Sequence, residues 1–357
     1  MATVNWQHYP RVAVLPAARS FIESLVKRQK APKTVDAYAR NLEDLLRTWP
    51  DAPAERIVEA TPADIDTYLE TLATRARGLP GDADGSAPGR PLSNATIQQR
   101  LVTARLFFDF CLHRQLRRDP TNPVARGSWR GHPPRRGLVP RQQRLPWVPT
   151  DAEWHAILTD LFAHEPLRNQ VLVLLAYDAA LRRQELLGLR LDDVDWSIGL
   201  VQVRAECAKS GRARAVPISA ASELLLRHYI QTDRAHLLAG FGGDPTGPLF
   251  LSQSPRNPAV PLKATAFNDI IERLRQRLDL PHLHPHTLRH LRCTVLRRCG
   301  MPLDDIALFA GHASVASTQL YIHLTPCDLA QRIRAATAPV DRRLARLIAE
   351  HLDGRAP

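Results

Sequence analysis

Apolar residues recur at helical spacing through most of the chain. Phe21, Ile22, Leu25 and Val26 mark a first helix over 16–28. Pro32-Lys33-Thr34 opens a second, with Val35, Tyr38, Leu42, Leu45, Leu46 and Trp49 on one face and Arg40, Asn41 and Arg47 on the other. Thr61-Pro62-Ala63-Asp64 reads as N-cap, first-turn proline and an acid at the positive helix end. Ile65, Tyr68, Leu69 and Leu72 follow as its buried stripe. A long helix starts at Ser93 or Asn94 and carries Ile97, Leu101, Ala104, Phe107, Phe108 and Cys111. Residues 1–15 read as a loosely held arm, and the Gly-, Pro- and Asp-rich stretch 78–91 as a loop.

Seven prolines between 119 and 149 (Pro120 to Pro149) prevent a persistent helix there. Thr150-Asp151-Ala152-Glu153 is then a capping box for a helix bearing Trp154, Ile157 and Leu161. The apolar run 168–181 predicts a buried helix, followed by a short one over 184–189. The period next changes to two. Residues 200–203 and 213–218 flank the turn Lys209-Ser210-Gly211-Arg212 as a hairpin, and 249–251 reads as one more short strand. Helices return at 220–232, 264–278 and 286–299. Residues 285–324 form three short helices separated at Gly300 and Gly311, and an amphipathic tail helix carries Leu344, Leu347, Ile348 and Leu352. The expected fold is mainly α with a small β-sheet (α+β).

Charge narrows the function. Against 36 acidic residues stand 48 Lys and Arg, a net charge of +12. That favours a polyanionic partner, nucleic acid before an acidic membrane surface, although an arginine-rich composition alone explains part of it. No helix pairs a basic face with an exposed apolar one, which argues against a membrane. Five cysteines without C-x-x-C spacing argue against a zinc site or a disulfide framework, and no metal is expected. The 119–149 segment carries Arg126, Arg130, Arg135 and Arg136 with no acid from Pro120 to Thr150, as a strap along a phosphate backbone would. No apolar run matches a signal peptide or a membrane span, which points to a soluble protein of the cell interior.

The candidate chemistry is phosphodiester cleavage without metal. It needs cations on the non-bridging oxygens, a nucleophile, a base and an acid. Arg182 lies three residues before Glu185, and His286 three before Arg289 at a helix start, where free N–H groups favour an anion. Lys209 and Arg212 lie on the hairpin turn. His290 follows Arg289, His312 follows Gly311, and Tyr321 comes nine residues after His312. Each has an ordinary explanation alone: a surface ion pair, a solvated tip, a core tyrosine. Their order is specific: R-x-x-E, a hairpin lysine, H-x-x-R-H, then G-H and a tyrosine.

That order resembles the tyrosine recombinase (phage integrase) family over nearly the whole chain. LLAYDAALRRQELLGLRLDDVD resembles the family's first box, KSGRARAVPIS its lysine hairpin, and HPHTLRH with LFAGHASVASTQLYIHL its second box. The resemblance implies an N-terminal helical SAM-like core-binding domain and a C-terminal catalytic domain that close on DNA as a clamp. The expected division is an arm over 1–15, the core-binding domain over 16–118, a basic linker over 119–149, the catalytic domain over 150–340 and a tail helix over 341–357. By resemblance Arg182 and Arg289 hold the scissile phosphate, Lys209 is the general acid and His286 the general base. His312 hydrogen-bonds the phosphate, Glu185 and His290 support the site, and Tyr321 is the nucleophile. Arg182 is chosen over Arg183 because it sets the spacing to Glu185. Arg126, Arg130, Arg135, Arg136 and Arg212 are expected DNA contacts. The family commonly has Thr-Gly where this chain has Ala179-Ala180; small residues are kept, so no consequence is expected.

The implied function is site-specific recombination or integration for a bacterial mobile element through a 3′-phosphotyrosyl link, without ATP, metal or other cofactor. The implied partners are double-stranded DNA and a homotetramer on paired sites, with an accessory DNA-bending or directionality protein left open, in the cytoplasm at the nucleoid. The alternatives are a type IB topoisomerase-like activity and a DNA-binding protein with a decayed site.

Overall fold

The computed structural model describes residues 4–49, 53–74, 92–124 and 146–312. The chain divides into two compact units, Met1–Arg144 and Leu145–Pro357.

In the first unit, a 3₁₀ turn (Trp6–His8) leads to α1 (Pro10–Val14), α2 (Pro16–Lys27), α3 (Pro32–Leu46), α4 (Ala54–Val58), α5 (Pro62–Thr74) and α6 (Asn94–His113). Proline at N1 or N2 starts α1, α2 and α3, where its missing N–H costs nothing. Asp64 accepts the backbone N–H of Thr61 at 2.6 Å, and the Ser93 hydroxyl accepts the N–H of Thr96 at 3.2 Å. The core joins Phe21, Ile22, Leu42, Leu45, Tyr68, Phe107 and Phe108. A buried ion pair, Arg100 Nη1 to Asp44 Oδ2 at 2.9 Å, is completed by the Tyr68 hydroxyl at 2.9 Å and ties α3, α5 and α6.

Residues 4–15 are not a loose arm. Tyr9, Val12 and Leu15 are buried, and the Glu43 carboxylate accepts the N–H groups of Arg11 and Val12 at 3.0 Å each. It thereby caps the positive end of α1 from another helix. A five-residue helix shows too little periodicity to be seen in sequence, and its cap lies 31 residues beyond Val12. The short helix α4 was missed for the same reason.

The second unit holds α7 (Asp151–His164), α8 (Leu167–Asp178), α9 (Arg183–Leu187), β1 (Val194–Asp195), β2 (Leu200–Val203), β3 (Arg214–Pro217) and α10 (Ala220–Tyr229). After α10 a π-helical turn continues into α11 (Ala235–Phe241). Then come α12 (Ala264–Arg277), α13 (Pro285–Arg298) and α14 (Leu303–Ala310). The Thr150 capping box forms as read, with Glu153 N–H on the Thr150 hydroxyl at 3.2 Å and Thr150 N–H on the Glu153 carboxylate at 2.7 Å. The apolar α8 is central and packs on α10 and α13. Around it Leu172, Leu175, Leu226, Tyr229, Phe250, Phe267, Leu274 and Leu288 form one core.

The sheet is antiparallel in the order β1-β2-β3, with Val201 opposite Val216 and Val203 opposite Arg214. The β2–β3 connection spans 204–213, longer than the tight turn expected, and Lys209 and Arg212 are exposed on it. The strand expected at 249–251 is not one. Leu249, Phe250 and Leu251 are buried, but only isolated bridges flank them, Arg190 with Pro248 and Leu251 with Pro261. Two prolines without N–H groups cannot sustain a ladder.

Candidate active site

The site is built on the C-terminal end of α14. A helix ends with carbonyls that have no partner in the helix and with a partial negative charge. Here three arginines from three different elements take three successive carbonyls. Arg214 Nε donates to Phe309 O at 3.0 Å, Arg289 Nη2 to Ala310 O, and Arg182 Nη2 to Gly311 O at 3.0 Å. Gly311 has φ +63°, and a Cβ there would meet the Arg214 guanidinium at 2.8 Å. Both the left-handed turn and the close approach require glycine. A small apolar cluster of Ala180, Cys293, Ile306 and Ala310 seats α14 beneath these contacts.

Glu185 organises the arginines from the other side. It is buried in α9, and its carboxylate accepts the Arg182 backbone N–H at 2.9 Å and Arg182 Nη1 at 2.8 Å. Arg214 adds Nη1 at 3.1 Å and Nη2 at 2.8 Å. Burial alone would raise its pKa, but the hydrogen bonds from Arg214 and Arg182 outweigh it and hold the carboxyl below its ordinary value. Arg183, by contrast, points to Asn268 Oδ1 at 2.6 Å. The structure therefore puts Arg182, not its neighbour, on Glu185.

Arg289 is buried in α13 and also donates Nη1 to Ala180 O at 2.6 Å. Ala180 has φ +47°. That left-handed conformation suits glycine, which adopts it without strain, so alanine here has a backbone consequence that its small size does not reveal, contrary to the expectation. A non-glycine residue in this region costs about 1–2 kcal/mol. Ala180→Gly should accordingly raise the unfolding free energy by about 1 kcal/mol in urea denaturation; an unchanged or lowered midpoint would show that Ala180 is not strained.

Burial and the neighbouring positive charges favour the neutral form of the histidines. Burial first, then Arg289 and Arg182, push His312 down to about 4. Burial and His286 likewise push His290 to about 4. His286 keeps an exposed edge, yet desolvation and the Arg289 charge still lower its pKa. A neutral imidazole can accept a proton at His286 and donate a hydrogen bond at His312.

Arg182, Glu185, Arg289 and His312 are thus brought together, with His286 and His290 beside Arg289 on α13. Lys209 and Arg212 make no hydrogen bond or ion pair among the described residues. Tyr321, the tail helix, and Arg126, Arg130, Arg135 and Arg136 lie outside the described residues. Arg214 was missed in sequence. Its signal was strand alternation: it shares a face with Val216 and Ile218, both buried. An arginine on an inward face demands a buried acid. Among the described residues no His, Cys, Asp and Glu cluster could hold a metal. No helix among them is long and apolar enough to cross a membrane.

Two family models match the chain: "Phage integrase family" over residues 150–327 and "Phage integrase, N-terminal SAM-like domain" over 18–115. The chain belongs to the tyrosine recombinase (phage integrase) family, whose members are enzymes that cleave and rejoin DNA in site-specific recombination. It is 29% identical over 326 residues to tyrosine recombinase XerC of Xylella fastidiosa, covering 90% of this chain and 96% of the relative. It is 28% identical over 311 residues to tyrosine recombinase XerD of Ralstonia nicotianae, covering 83% and 94%. Its fold is shared with XerH recombinase bound to a palindromic difH substrate (TM-score 0.62, 18% identity, 89% of this chain and 83% of that one). It is shared equally with a lambda integrase dimer on a COC′ core site (TM-score 0.62, 18% identity, 85% and 93%).

Proposed function

We propose that this recombinase cuts and rejoins duplex DNA at specific sites through a 3′-phosphotyrosyl link on Tyr321. The observation that carries the reading is the convergence of Arg182, Arg289 and His312 on one helix end, with His286 beside Arg289. Two fixed cations suit the non-bridging oxygens of a phosphodiester, since a guanidinium keeps its charge and presents paired donors. Tyr321 Oη attacks phosphorus while His286 takes its proton. The P–O5′ bond breaks, and Lys209 protonates the departing oxygen. A 5′-hydroxyl from a partner duplex then attacks the phosphotyrosine and restores the phosphodiester. The bond energy is kept in the link, so neither ATP nor a metal enters. Lys209 lies on an exposed connection able to reach a bound duplex, and Arg212 lies beside it. Arg126, Arg130, Arg135 and Arg136 track the backbone.

The substrate is double-stranded DNA, worked on by four copies on two paired sites, for a mobile element in the bacterial cytoplasm. The XerH and lambda integrase structures, both DNA complexes, support the DNA assignment. In domain terms, the core-binding domain covers 16–118 and the catalytic domain 150–340. A supercoiled plasmid bearing two copies of a binding site selected by the protein from the DNA flanking its gene tests the function. Recombinant circles are expected. Relaxation without exchange would identify a topoisomerase-like activity instead, and binding without cleavage a decayed site.

The acid role has its own test. Lys209→Ala should slow covalent cleavage by about 10²- to 10⁴-fold, the usual worth of general acid catalysis. A 5′-bridging phosphorothioate, whose leaving group needs no proton, should restore the rate. Absence of rescue would remove Lys209 from that role.

A further inference from the structure

We propose that Arg214 is a positioning residue of this site: it ties the Glu185 carboxylate to the end of α14 and so aims Arg182 and His312 at one phosphate. The inference rests on the reading of the site given above. Arg214 spans the two halves of the site by itself. Nη1 and Nη2 engage both Glu185 oxygens at 3.1 and 2.8 Å, while Nε holds Phe309 O at 3.0 Å. Its side chain is 7% exposed. All three of its guanidinium nitrogens are engaged by protein acceptors at once, two on Glu185 and one on Phe309 O, and it is more buried than Arg182, whose side chain is 20% exposed.

The chain of contacts is continuous. Glu185 fixes the Arg182 guanidinium, and Arg182 in turn holds Gly311 O, next to His312. Arg214 closes this ring from Glu185 to Phe309, two residues earlier on the same helix. The planar fork makes three directed bonds at once, and a lysine ammonium cannot reproduce the parallel pair to a carboxylate. The other side-chain bridge from Glu185 to the end of α14 runs through Arg182, the group that must also serve the phosphate. A misplacement of about 1 Å in such a site costs about 10²-fold in rate.

The test is single-turnover covalent cleavage of a nicked suicide duplex carrying the site selected from the flanking DNA, by wild type, Arg214→Lys, Arg214→Ala and Glu185→Gln. Cleavage by both Arg214 variants should fall about 10²-fold, with DNA affinity within about twofold of wild type. A general loss of structure would not produce one further effect. Glu185 is faced by Arg182 from the start of α9 and Arg214 from β3; Arg289, His286 and His290 of α13, with His312 after α14, surround the arginines. Removing Arg214 leaves burial opposed by Arg182 alone, so Glu185 should take up a proton at higher pH. The acid limb of the cleavage profile should then move upward in Arg214→Ala, and the move should vanish when Glu185→Gln is added. The histidines titrate in both backgrounds and cannot produce that difference. Should Arg214→Ala fail to fold, Arg214→Lys carries the rate test. A folded Arg214→Lys that cleaves like wild type, or a tenfold loss of DNA affinity in either variant, would overturn the proposal. Failure of wild type itself to form a covalent species would overturn instead the reading on which the proposal rests.

Discussion

Tyr321→Phe should abolish the covalent protein–DNA species and leave DNA affinity unchanged. The phenol hydroxyl is the only group the substitution removes, and the aromatic ring is kept. Loss of a nucleophile costs on the order of 10⁴- to 10⁶-fold where the rest of a site is intact. The described site supplies what a tyrosine lacks on its own. An unperturbed phenol, with a pKa near ~10, is a weak nucleophile at neutral pH. In the mechanism proposed above, Arg182 and Arg289 supply the positive charge that its oxyanion needs, and His286, whose pKa burial and the Arg289 charge lower, accepts the proton. Gel capture on a suicide duplex measures the outcome. A covalent band retained by the Phe variant would mean that another residue attacks.

The second large effect is on stability. Glu185→Ala should destabilise the second unit by about 3–5 kcal/mol, because it leaves two arginines without the carboxylate that neutralises them in a buried site. Arg214 suffers most, being the more buried of the two. The pH dependence follows from the direction of the shift. Glu185 titrates lower in the folded chain than when unfolded. Its contribution is therefore fully present above the ordinary glutamate range and is lost as pH falls through the folded value. The gap in urea stability between wild type and Glu185→Ala should be constant near neutrality and narrow on acidification below about 4.5. A gap that widens on acidification would contradict the ion-pair assignment. Glu185→Gln should lie between the two, since the amide keeps one acceptor oxygen.

Much of the fold was legible because the starting signals are local. Proline at helix starts, Thr61 with Asp64, and Thr150 with Glu153 each announce an element within four residues. The long apolar stripe of α6 and the apolar run from Val171 to Ala176 in α8 need no tertiary knowledge either. What was not legible depends on partners far away in sequence. Residues 4–15 dock only because Glu43 caps α1 from α3. The run 249–251 has the composition of a strand, but its prolines decide against a ladder.

The site divides in the same way. Arg182 and Glu185 were paired by a three-residue spacing that their contact shares. Arg214 lay inside a quoted motif, yet its partners Glu185 and Phe309 are 29 and 95 residues away. Ala180 looked interchangeable with glycine because size is visible in sequence and φ is not. The three arginines on consecutive carbonyls of α14 could not be anticipated from any one of their motifs. They show why Gly311 and His312 stand where they do.

The most direct measurement is the identity of the residue that carries DNA. Wild-type protein trapped on the suicide duplex, digested with nuclease and trypsin, should give one nucleotide-modified peptide with the adduct on Tyr321 and a 3′-phosphate linkage. An adduct on any other residue, or a linkage through a 5′-phosphate, would contradict the assignment of Tyr321 and of the site built around Arg182, Glu185 and Arg289.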